Sequence, residues 1–324
     1  LEIFVMLSSL QKRLTPGPKD LHPNAGLRKQ EGLIGLLFLS PWILGFILLK
    51  LVPILVALAY SFTDFYMITP EAVRFVGLTN YLRFFGDLDA WSSLAGSLGY
   101  FVLTVPLELF AALALAAVFS SDRVRGKAFL RPLFFMPSII PAGAIFFIWL
   151  GFVDPSAGWL NRLIMTPLGL PPVPGPYNAS SFNILLTMMA LWSIGPGFLI
   201  MYGAMQAIPR EIIEAARVDG AGPLTRLVSI TLPMISPAIF FSLVINLTSA
   251  FGGSVLLDRG YLFSSSLSPM EGYINSIMFS KFELGYAAAL AWVMFAVTMS
   301  ITLVLFRSAS RWVYFPEETH HADL

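Results

Sequence analysis

Apolar residues fall along this chain in long runs separated by short polar stretches, at about 33–61, 94–119, 128–153, 182–208, 234–258 and 285–306. Each run is near or above the roughly 20 residues that a helix needs to cross the hydrocarbon core of a bilayer. Lipid offers no partners to backbone N–H and C=O groups, so an open-ended spanning segment must close its hydrogen bonds within itself as a helix. The pattern predicts an all-α polytopic membrane protein with six transmembrane helices. Residues 1–32 form a first tail, 33–307 the spanning region and 308–324 a second tail. Composition agrees, because 56% of the residues are apolar, 12% are charged and the mean hydropathy is +0.76. Soluble domains carry about 25% charged residues, so a water-facing exterior is excluded.

The net charge is only +1, and no concentrated basic face speaks for a nucleic-acid partner. The positions of the cations are more informative, since Lys and Arg accumulate in cytoplasmic segments. One alternate set of segments carries Lys12, Arg13, Lys19, Arg28 and Lys29, then Arg123, Arg125, Lys127 and Arg131, then Arg210, Arg217 and Arg226, then Arg307 and Arg311. The other set carries Arg74, Arg83, Arg162, Arg259 and Lys281. Both termini are therefore expected in the cytoplasm. Residues 1–5, ahead of Met6, read as vector-derived.

Chemistry is sparse. The chain has no cysteine, and His22, His320 and His321 lie in the polar tails. No catalytic or metal cluster is expected. No phosphate loop of the form Gly-x-x-x-x-Gly-Lys-Ser/Thr is present, so the chain is not expected to hydrolyse ATP itself.

Between the fourth and fifth runs, over 209–233, the sequence changes character. Pro209 suits the first position of a helix, Glu211 its positive N-terminal end and Arg217 its negative C-terminal end. Gly220 and Gly222 supply the open or left-handed backbone that stops it. The spacing predicts a helix of about ten residues, too short and too charged to span a membrane. Its small Ala215 and Ala216 beside Glu214 suit close approach by another protein, and an ordinary interfacial connector has the same pattern.

These residues carry a resemblance. Glu214-Ala215-Ala216, followed by Gly220 and by Ile230-Thr231-Leu232-Pro233, resembles the EAA loop of ATP-binding-cassette importer permeases. Asp219-Gly220-Ala221-Gly222 is similar to the sugar-importer branch, as are Tyr60–Asp64, Phe75–Tyr81, Arg131-Pro132-Leu133 and Gly285–Leu290. The chain departs from that branch after the fifth run, where Asp258-Arg259-Gly260-Tyr261 replaces a glycine-rich Gly-Gly-Pro segment. Within the branch its overall likeness is to permeases for alginate oligosaccharides, with no single motif behind it.

The resemblance implies an inner-membrane permease subunit that forms a sugar path with a second homologous permease subunit. A periplasmic solute-binding protein would deliver the sugar, and two ATPase subunits would bind ATP and Mg. This chain would bind no cofactor. Glu214, Ala215, Ala216, Arg217, Asp219 and Gly220 would form the cytoplasmic coupling helix and its end. The competing class, an ion-coupled secondary transporter, calls for titratable relays or an inverted repeat, and neither is evident.

Three further expectations rest on residue type. Ser242, Asn246, Ser249 and Gly253 recur at helical spacing in the fifth run and suggest a polar stripe along a sugar path, with Trp192 as a stacking face. Small polar residues also pack helices together. Lys50 and Glu108 are the charges deep in the runs and are expected to pair, while Lys50 has snorkelling or attraction of an anionic sugar as alternatives. The proline-rich stretch 154–181 is expected to be a stiff, non-helical outer platform for the binding protein, or else a connector.

Overall fold

The computed structural model describes residues 25–121, 124–173, 175, 179–251 and 270–314. Among them helices dominate, and the extended contacts are isolated bridges between Thr63 and Phe75 and between Tyr66 and Glu283. Two units are distinguished, Leu1–Ala57 and Leu58–Leu324.

The first unit holds the helix Ala25–Phe46 and a π-helical turn, Ile47–Leu51, that leads into Val52–Ser61. The helix begins inside the stretch expected to be a tail. Gly35–Ser61 is long and apolar enough to cross a membrane. It tolerates two prolines for local reasons. Pro41 frees the carbonyl of Leu37, four residues back, and Ser40 Oγ donates to that oxygen at 2.7 Å. Pro53 likewise disturbs the carbonyl of Leu49, which lies within the π-helical turn.

The second unit is built around the helix Leu88–Ser120. Asp87 caps it, its Oδ1 accepting from the Ala90 amide at 3.0 Å. The first half of this central helix packs through Leu94 against Leu247, Met270, Ile277 and Leu290. Its second half packs through Ala112, Ala116 and Phe119 against Phe198, Met201, Met205 and Ile235. The alanines let the neighbouring helix come close, as packing in lipid favours. A third cluster joins Ile145 and Phe146 to Leu185, Leu186 and Met189.

Six spans were expected, and the structure adds that three of the runs are broken. Gly35–Ser61, Leu88–Ser120 and Leu284–Trp312 are unbroken, whereas the other three runs are bent pairs, giving six spans if each pair counts as one. Lys127–Ile139 and Gly143–Phe152 meet at 97°, Ile184–Trp192 and Gly195–Gln206 at 49°, and Pro223–Met234 and Ser236–Phe251 at 66°. Proline sits at each break. Ile140 is extended before Pro141, as the proline ring requires, and Pro196 follows the break at Ser193 and Ile194. At the third break, Pro237 frees the Pro233 carbonyl, and Ser236 Oγ donates to it at 2.6 Å. The same Oγ accepts from the Tyr314 amide at 2.7 Å, fastening the end of the last helix there.

The two ends of this unit differ. Phe119, Met205 and Ile235 pack together near the ends of their helices, and Tyr314, just past the last helix, is tied to Ser236 beside them. This end carries Arg131, whose guanidinium lies over the Tyr202 ring at 4.3 Å and donates to its hydroxyl. At the opposite end the last helix touches main chain. A Cβ on Gly285 would lie 2.1 Å from the Thr63 carbonyl oxygen, and the Gly285 amide donates to Phe65 O at 3.0 Å.

Candidate functional site

The short helix after the fourth span is Arg210–Val218, nine residues long. Pro209, expected at the first helical position, is instead its extended N-cap residue, with φ −55° and ψ 133°. Its far end closes as a Schellman motif. The Gly220 amide donates to Arg217 O at 3.1 Å and the Ala221 amide to Ala216 O at 2.9 Å, with Gly220 at φ +80°. This turn needs the left-handed backbone that glycine adopts without strain. Main-chain hydrogen bonds thus hold this end. Ala216 is buried, while Glu214, Ala215, Arg217, Asp219 and Gly220 are exposed. The helix therefore leaves a carboxylate and a methyl-sized surface open on its exposed side.

Deep in the bundle, Asn246 Nδ2 donates to Glu108 Oε2 at 3.3 Å, joining the fifth span to the central helix. Both residues are half-buried, and Ser249, three residues beyond Asn246, is exposed. One turn before Glu108, Thr104 shares a hydrogen bond of 2.8 Å with Thr187 of the fourth span. Ser242 is buried, and its hydroxyl has no partner among the described residues. Trp192 belongs to another contact, edge-on to Trp149 with centroids 6.1 Å apart. Gly253 and the departure at 258–261 lie outside the described residues. Lys50 is exposed on the π-helical turn of the first unit.

The outer stretch 154–181 is not free of helix. Trp159 and Leu160 lead into a π-helical turn, Asn161–Met165, within a segment whose prolines lie on either side at Pro155 and Pro167. Asn161, 3% exposed, pins it. Its Nδ2 donates to Asp154 O at 3.0 Å and to Val173 O at 3.3 Å, and its Oδ1 accepts from the Val173 amide at 2.7 Å. Trp159 and Leu163 are 69% and 71% exposed, so the pinned stretch carries an open apolar surface. Pro174 and Pro176 lie outside the described residues.

A family model, "Binding-protein-dependent transport system inner membrane component", matches residues 108–313. A probable ABC transporter permease protein, YesP of Bacillus subtilis, is 33% identical over 308 residues, covering 92% of this chain and 97% of that protein. The chain belongs to this family of binding-protein-dependent transport components. The arabinooligosaccharides transport system permease protein AraP of Halalkalibacterium halodurans is 28% identical, covering 84% of this chain and 86% of its own. A crystal structure of a bacterial alginate ABC transporter, in complex with an alginate pentasaccharide-bound periplasmic protein, shares the fold. Its TM-score is 0.74 at 19% identity, over 89% of this chain and 98% of that one.

The transport-component match begins at Glu108 and encloses Trp192, the helix Arg210–Val218 and Asn246. Sequence reasoning missed a polar knot at the end opposite that helix. Asp87 Oδ2 accepts from Tyr286 at 2.6 Å and from Tyr273 at 2.7 Å. Arg83 pairs with Glu283 and lies over the Tyr286 ring at 4.0 Å. Burial disfavours the charge on Arg83, but its bond to Glu283 and the neighbouring Asp87 outweigh this and raise its pKa further. Phe282, at φ +60°, turns the chain beside Glu283. Only the aspartate ahead of an apolar run signalled any of this in the sequence.

Proposed function

We propose that this chain is one permease subunit of an ATP-driven importer of sugars or oligosaccharides. The observation that carries the reading is the helix Arg210–Val218, closed by Gly220 and exposing Glu214 and Ala215 at the basic end of the bundle. The positive-inside rule assigns that end, with both termini, to the cytoplasm. A partner ATPase, which binds ATP and Mg, receives the helix in a groove. Glu214 there accepts charge-assisted hydrogen bonds, which are stronger than neutral ones. Two such ATPases and a second homologous permease subunit complete the membrane complex, and closure of the ATPase pair rocks the spans between openings.

On the other face a periplasmic binding protein delivers the sugar, and the pinned stretch around Asn161 meets it. The path runs along Asn246 and Ser249, with Trp192 as a stacking face. The sugar class is supported by the relative named for arabinooligosaccharides, and alginate oligosaccharide is a second candidate drawn from the shared fold.

The test is co-purification of the ATPase subunits with an affinity-tagged chain from membranes. Wild type retains them and Glu214→Lys loses them, with both chains inserted to the same level. Equal recovery from the charge-reversed chain removes the assignment.

A further inference from the structure

We infer that Glu108 and Asn246 face water in the transport path, and that the Glu108 carboxylate gives the path a negative potential that favours neutral, hydroxyl-rich sugars over carboxylate-bearing ones. The inference rests on the transport reading above and sharpens its substrate class.

Three observations carry it. The Glu108–Asn246 pair is half-buried rather than enclosed, and the neighbouring Ser249 is exposed. A carboxylate open to the bilayer core costs a few kcal/mol even on the gentler insertion scale, so such residues face a bundle interior or a water-filled cavity. The lipid-facing choice is also poor because Asn246 and Ser249 lie on the same side of the fifth span, at helical spacing.

The second observation is the charge census. The span segments Leu88–Ser120, Gly143–Phe152, Ile184–Trp192, Gly195–Gln206 and Ser236–Phe251 contain no Lys or Arg. In the last helix Arg307 and Arg311 come only near its end. An acidic sugar is recognised by cations that pair with its carboxylates, Arg above all. Among the described residues this unit offers it only Glu108 at that depth.

The third is the chemistry of the pair. A carboxylate accepts hydrogen bonds from sugar hydroxyls, and a carboxamide both donates and accepts, so together they match a neutral saccharide. Low-dielectric walls around a water-filled path focus the field of a single charge along it.

The test reads the field directly and needs no substrate, because the chain has no cysteine of its own. Ser249→Cys is introduced into the complex with its partners, reconstituted in nanodiscs so that both faces are open. Reaction with a cationic trimethylammonium-ethyl thiosulfonate and with an anionic sulfonato-ethyl thiosulfonate is followed on this chain by mass spectrometry. Rates are normalised to a free thiol. The expected result is a preference for the cation of at least about tenfold, from field focusing, that collapses toward one when Glu108→Gln is added. That second change keeps the side-chain shape and an acceptor for Asn246.

A thiol unreactive to both reagents means that the face is dry and overturns the inference. An equal ratio with and without the Glu108→Gln change also overturns it. A preference that emerges only in Lys50→Ala would mean that Lys50 neutralises the carboxylate, and the potential would be absent from the native path. ATP-driven uptake of an alginate pentasaccharide by wild type in preference to neutral oligosaccharides would overturn the class assignment. Loss of all ATP-driven uptake with the labelling contrast intact would instead strike the importer reading and leave the field standing.

Discussion

The phenol of Tyr286 donates to Oδ2 of Asp87 at 2.6 Å, across 199 residues of sequence. The bond ties the first turn of the last helix to the cap of the central one. Tyr286→Phe keeps the ring beneath Arg83 and removes only the hydroxyl. Hydrogen bonds to charged groups are worth about 1.5–3 kcal/mol, so the purified variant should melt at a lower temperature by a corresponding amount. An unchanged melting temperature would mean that Tyr273 alone satisfies Asp87.

The same knot sets a pH dependence. Burial works against a charged Asp87, but the hydrogen bonds from Tyr286, Tyr273 and the Ala90 amide, with Arg83 nearby, outweigh it and hold the carboxyl below its usual range. A group depressed in the folded state stabilises above its unfolded pKa, about 3.9 for Asp, and that contribution is lost as pH falls through the folded value. Acid melting of wild type should therefore steepen below about pH 4, and Asp87→Asn should lack that component while being less stable at neutral pH.

Gly285 offers a steric test. An added Cβ would meet the Thr63 carbonyl at 2.1 Å, and backbone cannot swing aside as a side chain can. Gly285→Ala should cost about 1–3 kcal/mol, the range for overpacking. Gly99→Ala, with nothing within 4 Å of the new methyl, should be neutral or slightly stabilising because alanine favours helix. Equal melting of the two variants would show that the contact relaxes freely.

Asn161→Ala removes a side chain that holds both Asp154 and Val173. Leaving the half-buried Val173 partner unmet costs up to about 1–3 kcal/mol locally. If the stretch meets the binding protein, stimulation of ATP hydrolysis by that protein should weaken while basal hydrolysis persists. Unchanged stimulation would mark it as a connector.

Parts of this architecture were legible in the sequence for clear reasons. Apolar run length announced the spans, and Gly220 announced a left-handed helix end because few other residues tolerate it. The three bends were harder. Apolar residues continue through Ile140, Ile194 and Ile235, so hydropathy runs on unbroken, although Pro141, Pro196 and Pro237 stand at the breaks. Polar partners were hidden for a different reason. Glu108 and Asn246 are 138 residues apart, and Arg83 and Glu283 are 200 apart. Their meeting is a property of packing, which periodicity along one strand of sequence does not carry. The neutral partner of Glu108, Asn246, is one that the depth of charges along the runs does not announce.

The central claim is that the helix Arg210–Val218 transmits ATP hydrolysis to the spans. Gly220→Val forces a β-branched residue into φ +80°, at about 1–2 kcal/mol for a left-handed L-residue, and so frays or lengthens the end of the helix. The most direct measurement is sugar taken up per ATP hydrolysed by the whole complex in proteoliposomes, wild type beside Gly220→Val. The account predicts that the variant assembles and hydrolyses ATP but that uptake per ATP falls sharply. An unchanged ratio of uptake to hydrolysis, with the complex intact, would contradict it.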